Sequence, residues 1–398
     1  MYAFNWYNVG AVLPLIGTGL HVSTVELGIV LGSFLLGAAV FQLPAGFASL
    51  RWGSRRICLA ALVVMGAFSL ASAFSPNWYV LAVLRFGVGA GAALFFAPAL
   101  GLVAQYYPTG QRGPIIGLYN AGFSIGAAIG IIAGAFIGVA FGWSVALAVG
   151  GVGLLVGAAV ATRVLPPLAP PSNVRSVREV VRAARPVLRS SSIWALALAL
   201  TGTWGAFYIV AQYFVQYSAA AHPSWSLPLA ASLPTVMIVV EIVGGPLGGL
   251  LLERGLDMRA TLVVLGVPAA FALVLIPFLP LVGLAGVFVF LGFANGVVFA
   301  DLYLIPSYHA ETEGEGLSLA LALINCVQIF GGSALSIAFG VVAVEYGWTV
   351  AWVFAAAAGL ATFPLVIWVR RTRGARDPRS VLAGAGAPER SDFSSRSG

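Results

Sequence analysis

Residues 142–163 read GWSVALAVGGVGLLVGAAVATR, and residues 347–369 read GWTVAWVFAAAAGLATFPLVIWV. Both are apolar runs of about 20 residues, the length a helix needs to cross the hydrocarbon of a bilayer. Both open on the same phrase, Gly142-Trp143-Ser144-Val145-Ala146 against Gly347-Trp348-Thr349-Val350-Ala351, at an offset of 205. That offset also carries Asn120 to Asn325 and Gly126 to Gly331, and one of about 203 carries Ala3-Phe4 to Ala206-Phe207. Several matches near one spacing mark a duplicated architecture. The quoted runs are then the last spans of two related bundles.

Composition names lipid as the main solvent. The chain is 60% hydrophobic and 8% charged, with a mean hydropathy of +0.99, whereas a soluble domain carries roughly 25% charged residues. Its 49 glycines suit helices that approach backbone to backbone. The net charge of +7 would suit nucleic acid, but the arginines fall in short clusters between apolar runs rather than in one basic domain. No nucleic-acid partner is expected. All 20 basic residues are arginine, a genome bias that follows no structural boundary.

Apolar runs of spanning length occupy residues 2–20, 25–45, 57–75, 78–100, 114–138, 143–163, 191–217, 228–252, 259–280, 281–304, 316–343 and 347–369. The expected fold is an all-α membrane protein of twelve transmembrane helices in two pseudo-symmetric six-helix bundles, residues 1–163 and 191–369. A Pro/Arg/Ser-rich cytoplasmic linker, 164–190, joins them, and the polar tail 370–398 is expected to be disordered. The first run has no basic lead and no small-residue cleavage site, so it reads as a retained span rather than a signal peptide. The missing cytoplasmic lead is in keeping with a start upstream of Met1.

Positive charge near helix ends stays in the cytoplasm. Placing both termini there puts every arginine but Arg85 in an inside segment and none in an outside one. A multi-pass protein of the plasma membrane is expected, working as a monomer. Cys58 and Cys326 lie in or beside apolar runs without metal-ligand spacing. His21, His222 and His309 fall between runs, so no span offers a histidine relay or metal site. No cofactor, metal or enzymatic activity is expected: no catalytic constellation is visible, and a Walker lysine is excluded by the absence of lysine.

The loop after the second run reads Gly46-Phe47-Ala48-Ser49-Leu50-Arg51-Trp52-Gly53-Ser54-Arg55-Arg56 and resembles the G-x-L-x-D-R-x-G-R-R loop of the major facilitator superfamily. Gly248-Gly249-Leu250-Leu251-Leu252-Glu253-Arg254-Gly255 is its degenerate echo in the second half. Arg85-Phe86-Gly87-Val88-Gly89-Ala90-Gly91 is similar to the family's R-x-x-x-G-x-G element. The resemblance covers almost the whole chain. It implies alternating access, with the first, fourth, seventh and tenth spans lining a central cavity and the third, sixth, ninth and twelfth facing lipid. Gly46, Arg51, Gly53, Arg55 and Arg56 would form its conformational loop. The family's loop aspartate is here Leu50, with Leu252 at the echo. The three loop arginines must therefore find other partners, such as Glu311, Glu313 and Glu315 or lipid headgroups, or serve topology alone.

Polar side chains inside spans nominate the site, since an amide in hydrocarbon is costly unless it faces protein or water. Asn5 and Asn8 lie in the first span, and Trp204, Tyr208 and Gln212 recur every four residues on one face of the seventh. These five are expected to line the substrate path, against the plainer alternative of interhelical bonding and interface anchoring. Arg85 is the one cation within a span; it holds an anionic substrate, tunes a proton-carrying carboxylate, or bonds backbone carbonyls of a neighbouring helix. Glu241 and Asp301 are the proton-coupling candidates, because a carboxyl withdrawn from water is costly to ionise. Gly122, Gly126, Gly130, Gly134 and Gly138 form a ridge on the fifth span, read as a helix-packing face for a rocking interface.

The expected function is a secondary transporter moving a small solute, an organic or inorganic anion, by proton-coupled symport. The partners are then that solute, a proton or other coupling ion, and the lipid bilayer. Efflux of hydrophobic compounds is the first alternative and a non-transporting receptor or scaffold the second.

Overall fold

Hydrocarbon offers a backbone amide no partner, so a chain this apolar must satisfy its amides within helices. The computed structural model describes residues 1–106, 109–167, 185–253, 258–304 and 316–368, and among these there is helix but no strand. The first span is broken, running as Tyr2–Ala11 and Leu13–Leu20. The second to sixth are Thr24–Trp52, Ser54–Ser72, Trp78–Tyr106, Thr109–Phe141 and Trp143–Val164. The seventh to twelfth are Ser191–Ala221, Leu227–Glu253, Met258–Leu275, Leu281–Leu304, Gly316–Glu345 and Trp348–Thr362, the ninth and twelfth each ending in a short 3₁₀ segment. Among the described residues ten helices are long and apolar enough to cross a membrane. The first and ninth complete the expected twelve.

Local chemistry sets the breaks. Pro14 has no N–H for the carbonyl of Gly10, and its ring crowds that carbonyl, so Val12 leaves the helix at φ −108°, ψ 11°. Ser23 and Glu26 form a reciprocal capping box that starts the second span. Three connections turn on a glycine at positive φ: Gly53 at 85° and Gly142 at 89°, each the whole connection, and Gly347 at 85°, preceded by Tyr346. With ψ of 161° and 165°, Gly142 and Gly347 occupy a region open essentially to glycine alone. The repeated Gly-Trp phrase is thus the sharp corner between the last two spans of each half. The expected loop 46–56 is shorter than its polarity suggests, because the second helix continues to Trp52 and only Gly53 breaks it. Hydropathy marks the apolar stretch, and the helix continues past its end.

The first half packs its second span on the fourth, its first on the fifth and its third on the fourth and sixth. In the second half the eighth lies on the tenth, the seventh on the eleventh and twelfth, and the ninth on the twelfth. A Cβ at Gly89 would strike the Phe34 carbonyl, and one at Gly292 would strike the Met237 carbonyl. Since 292 less 89 and 237 less 34 both give 203, these close crossings repeat from one half to the other. The bundles meet where the second span lies on the eleventh, the fifth on the eighth and the first on the seventh.

Gly347→Ala forces a side chain into a glycine-only conformation and is expected to lower stability by about 1–3 kcal/mol. Gly46→Ala, in helix with open space around it, should change stability by less than about 1 kcal/mol. Thermal unfolding of the two variants in detergent checks the contrast.

Candidate functional site

Spacing on the seventh span puts Trp204, Tyr208 and Gln212 on one face, and that face turns toward the first span. Gln212 Nε2 donates to the Trp6 carbonyl at 2.7 Å, an approach open because Gly10 has no Cβ to occupy the amide's place. Tyr208 stacks on Trp204 with ring centroids 5.3 Å apart and meets Tyr7 at 6.1 Å. Small residues close the bundles beside this contact. The Ser333 hydroxyl donates to the Gly32 carbonyl at 2.7 Å and Gly28 lies against Ser336 and Gly340, while within the second bundle the Tyr213 hydroxyl donates to the Ser336 carbonyl at 2.7 Å.

Arg85 sits at the centre, 1% exposed. Its Nη2 donates to the Asn5 carbonyl at 3.0 Å, and its guanidinium carbon lies 4.7 Å from the centroid of Phe34, a cation–π contact. Trp6 meets Phe34 edge-on at 4.7 Å, and Tyr208 is within electrostatic reach of the guanidinium. Arg85 Nε and Nη1 are buried without a hydrogen-bond partner, as are Trp6 Nε1 and Gln212 Oε1. The backbone-bonding alternative thus accounts for one of the guanidinium's nitrogens and leaves two open.

Glu241, half-buried on the eighth span, accepts a hydrogen bond from Asn295 Nδ2 at 3.2 Å. The carboxyl lies within electrostatic reach of Tyr7 on the opposite bundle. The side chain of Asp301 is outside the described residues. Asn295, Tyr7 and Phe34 were not singled out by the sequence. Asn295 is the one polar residue of the tenth span between Leu281 and Ala300, and that isolation was the available signal. Phe34 is one aromatic among 25 phenylalanines and carries no such mark.

Three expectations need correction. Asn5 and Asn8 face the interior of the first bundle rather than the path between bundles. Asn5 Nδ2 donates to the Gly150 carbonyl at 3.0 Å, its Oδ1 accepts from Ser69, and Asn8 Nδ2 donates to the Ala146 carbonyl at 3.3 Å. The glycine ridge is also internal to that bundle: Gly126 and Gly130 lie against Ala3 and Phe4, and Gly134 and Gly138 against Asn8, Ala11 and Val12, while Gly122 is open. It seats the first span on the fifth and is no sliding face between bundles. Among the loop residues, Arg55 is committed within its own bundle, donating to the carbonyls of Thr162 at 3.0 Å and Leu165 at 3.0 and 3.1 Å. It caps the sixth span, where Lys or Arg suits the negative helix end. Arg51 lies exposed over the Trp52 ring, Arg56 is exposed, and Gly46 is open. Glu311, Glu313 and Glu315 are outside the described residues.

The sequence profile described as Major Facilitator Superfamily matches residues 1–319. The hexuronate transporter of Bacillus subtilis (strain 168) is 35% identical over 133 residues, 33% of this chain and 31% of that protein. The 4-hydroxybenzoate transporter PcaK of Pseudomonas putida is 32% identical over 144 residues, 36% of this chain and 32% of that one. The matched stretches therefore span about a third of each curated relative. In fold, the chain resembles the D-xylose-proton symporter with a TM-score of 0.73 at 14% identity, covering 94% of this chain and 97% of that one. A bacterial homologue of the human lysosomal transporter Spinster, inward-facing and occupied, gives 0.68 at 16% identity, covering 92% of each chain.

Because Asn5 joins three helices, Asn5→Ala leaves Ser69 and the Gly150 carbonyl short of a partner and should cost about 1–2 kcal/mol. Thermal unfolding should show that loss, and a fall in solute affinity should accompany it only to the extent that the Asn5 carbonyl, the acceptor for Arg85, shifts. An affinity drop with unchanged melting would return Asn5 to the path.

Proposed function

The chain belongs to the major facilitator superfamily, and on that premise we propose that it is a secondary transporter carrying a small organic anion across the plasma membrane with a proton, by alternating access. The observation that carries this is Arg85: a guanidinium buried in the first bundle, within electrostatic reach of Tyr208 on the second, with two nitrogens unclaimed, where a fork of N–H donors matches a carboxylate. A buried unpaired cation is costly, and an arriving anion relieves that cost. The named solutes of the two curated relatives, a hexuronate and 4-hydroxybenzoate, are both carboxylic acids, which supports the anion reading.

Glu241 supplies the proton site. It stands on the second bundle with a neutral amide as its only described hydrogen-bond partner, so protonation can remove its charge without breaking an ion pair. Arg85 acts on the first bundle, Tyr208 and Gln212 close the path from the seventh span, and the contacts of Gly32 with Ser333 and of Gly28 with Ser336 and Gly340 latch the bundles. In this reading both termini and the 164–190 linker are cytoplasmic, and the exposed Arg51 and Arg56 hold that side of the membrane.

Export of hydrophobic compounds is favoured by one other feature. A cleft of about 50 Å³ inside the second bundle is lined mainly by apolar residues such as Phe207, Leu273 and Phe363, with Asn295 at its wall. Resistance of expressing cells to lipophilic dyes tests that reading.

For the leading one, proteoliposomes with an inside-alkaline gradient should accumulate a labelled carboxylate. Glu241→Gln is expected to reduce gradient-driven accumulation at least about tenfold while solute counterflow continues. Arg85→Gln should weaken solute affinity about a hundredfold, the loss expected on removing one partner of a buried charge pair. Accumulation that survives Glu241→Gln would remove the carboxyl from coupling.

A further inference from the structure

We propose that the anion received at Arg85 is a singly charged carboxylate on a flat aromatic or conjugated body, an inference that rests on the anion reading above and narrows it.

Charge limits the ligand first. Among the residues whose side chains are described Arg85 is the one fully buried cation, since Arg51, Arg56, Arg163, Arg185 and Arg189 are exposed and Arg55 is spent on the end of the sixth span. One carboxylate neutralises one guanidinium. A second anionic group brought into the same place would be buried without a partner, which costs far more than its contacts return.

Hydrogen bonding limits it further. The unclaimed buried polar atoms of the cluster are Arg85 Nε and Nη1, Trp6 Nε1 and Gln212 Oε1. Two carboxylate oxygens can use the three donors, leaving Gln212 Oε1 and the hydroxyls of Tyr7 and Tyr208 for any further polar group. A sugar acid would bury several hydroxyls, each a donor and an acceptor, more than these can pair.

The walls decide the body. Phe34 lies under the guanidinium, Trp6 stands edge-on to Phe34, and Tyr208, stacked on Trp204, meets Tyr7. Ring faces and edges give a planar ligand offset-stacked and edge contacts beyond simple burial. They do nothing for a hydrated chain of hydroxyls. The cluster therefore selects for one charge, few hydroxyls and a flat shape together.

The test titrates the purified full chain in detergent with benzoate, cyclohexanecarboxylate, glucuronate, phthalate and benzamide, with binding read by calorimetry. Benzoate is expected to bind about tenfold more tightly than cyclohexanecarboxylate and at least about a hundredfold more tightly than glucuronate or phthalate. Tyr208→Leu should erase the preference for benzoate over cyclohexanecarboxylate and leave the requirement for charge. Arg85→Lys, which keeps the charge and loses the fork, should retain the ranking at reduced affinity. Glucuronate or phthalate binding as tightly as benzoate, or equal affinity for the aromatic and saturated rings, overturns the class proposed here while the anion reading stands. Benzamide matching benzoate, with Arg85→Gln altering neither, brings down the anion reading itself.

Discussion

One guanidinium held out of water sets the terms on which the two bundles meet. Arg85 is given a single backbone acceptor, the Asn5 carbonyl, and one aromatic face, Phe34. That carbonyl is well placed because the Asn5 side chain is tied to the third and sixth spans through Ser69 and Gly150. The asparagine expected to touch solute instead fixes the acceptor against which the arginine is oriented. A positioned but half-satisfied cation is what a reversible anion site requires, since full pairing within the protein would leave a ligand nothing to gain.

Much of the frame was legible because lipid leaves few alternatives. Apolar run length located the spans, and the Gly142-Trp143 and Gly347-Trp348 phrases located corners that only glycine can turn. The face of the seventh span was legible too, because Trp204, Tyr208 and Gln212 recur at helical spacing and one side of that helix must meet protein. The direction of Asn5 and Asn8 was not. They share a face of the first span, but Trp6 and Gly10 share another, and both faces are buried in protein. Polarity shows that a residue avoids lipid and leaves open whether it avoids it in a bundle core or at a bundle seam. The ridge from Gly122 to Gly138 posed the same ambiguity, since glycine permits close approach without naming the helix that approaches.

Duplication supplies the frame, and its breaking supplies the chemistry. At the 203-residue offset fixed by the crossings at Gly89 and Gly292, Arg85 falls on Phe288 and Glu241 falls on Ala38. Both counterparts are fully buried apolar residues, so each half carries one charge that its twin lacks. The cation belongs to the first bundle and the carboxyl to the second. They stand on separate bodies of the duplicated fold.

In the proposed symport, that separation bears on why solute and proton would travel together. Closing the bundles withdraws both groups from water, and an uncompensated charge in such a place costs several kcal/mol. With the anion on Arg85 and a proton on Glu241, each site is neutral and the loaded protein closes without net charge. With neither bound, the two opposite charges sum to zero, and the empty protein also closes without net charge. With only one bound, the closed state carries a net charge of one unit in a low-dielectric interior and is the least favourable of the four. A barrier on the two half-loaded states is all that tight coupling demands, and in the proposed symport it would follow from one arginine and one glutamate placed on opposite halves of a duplicated fold.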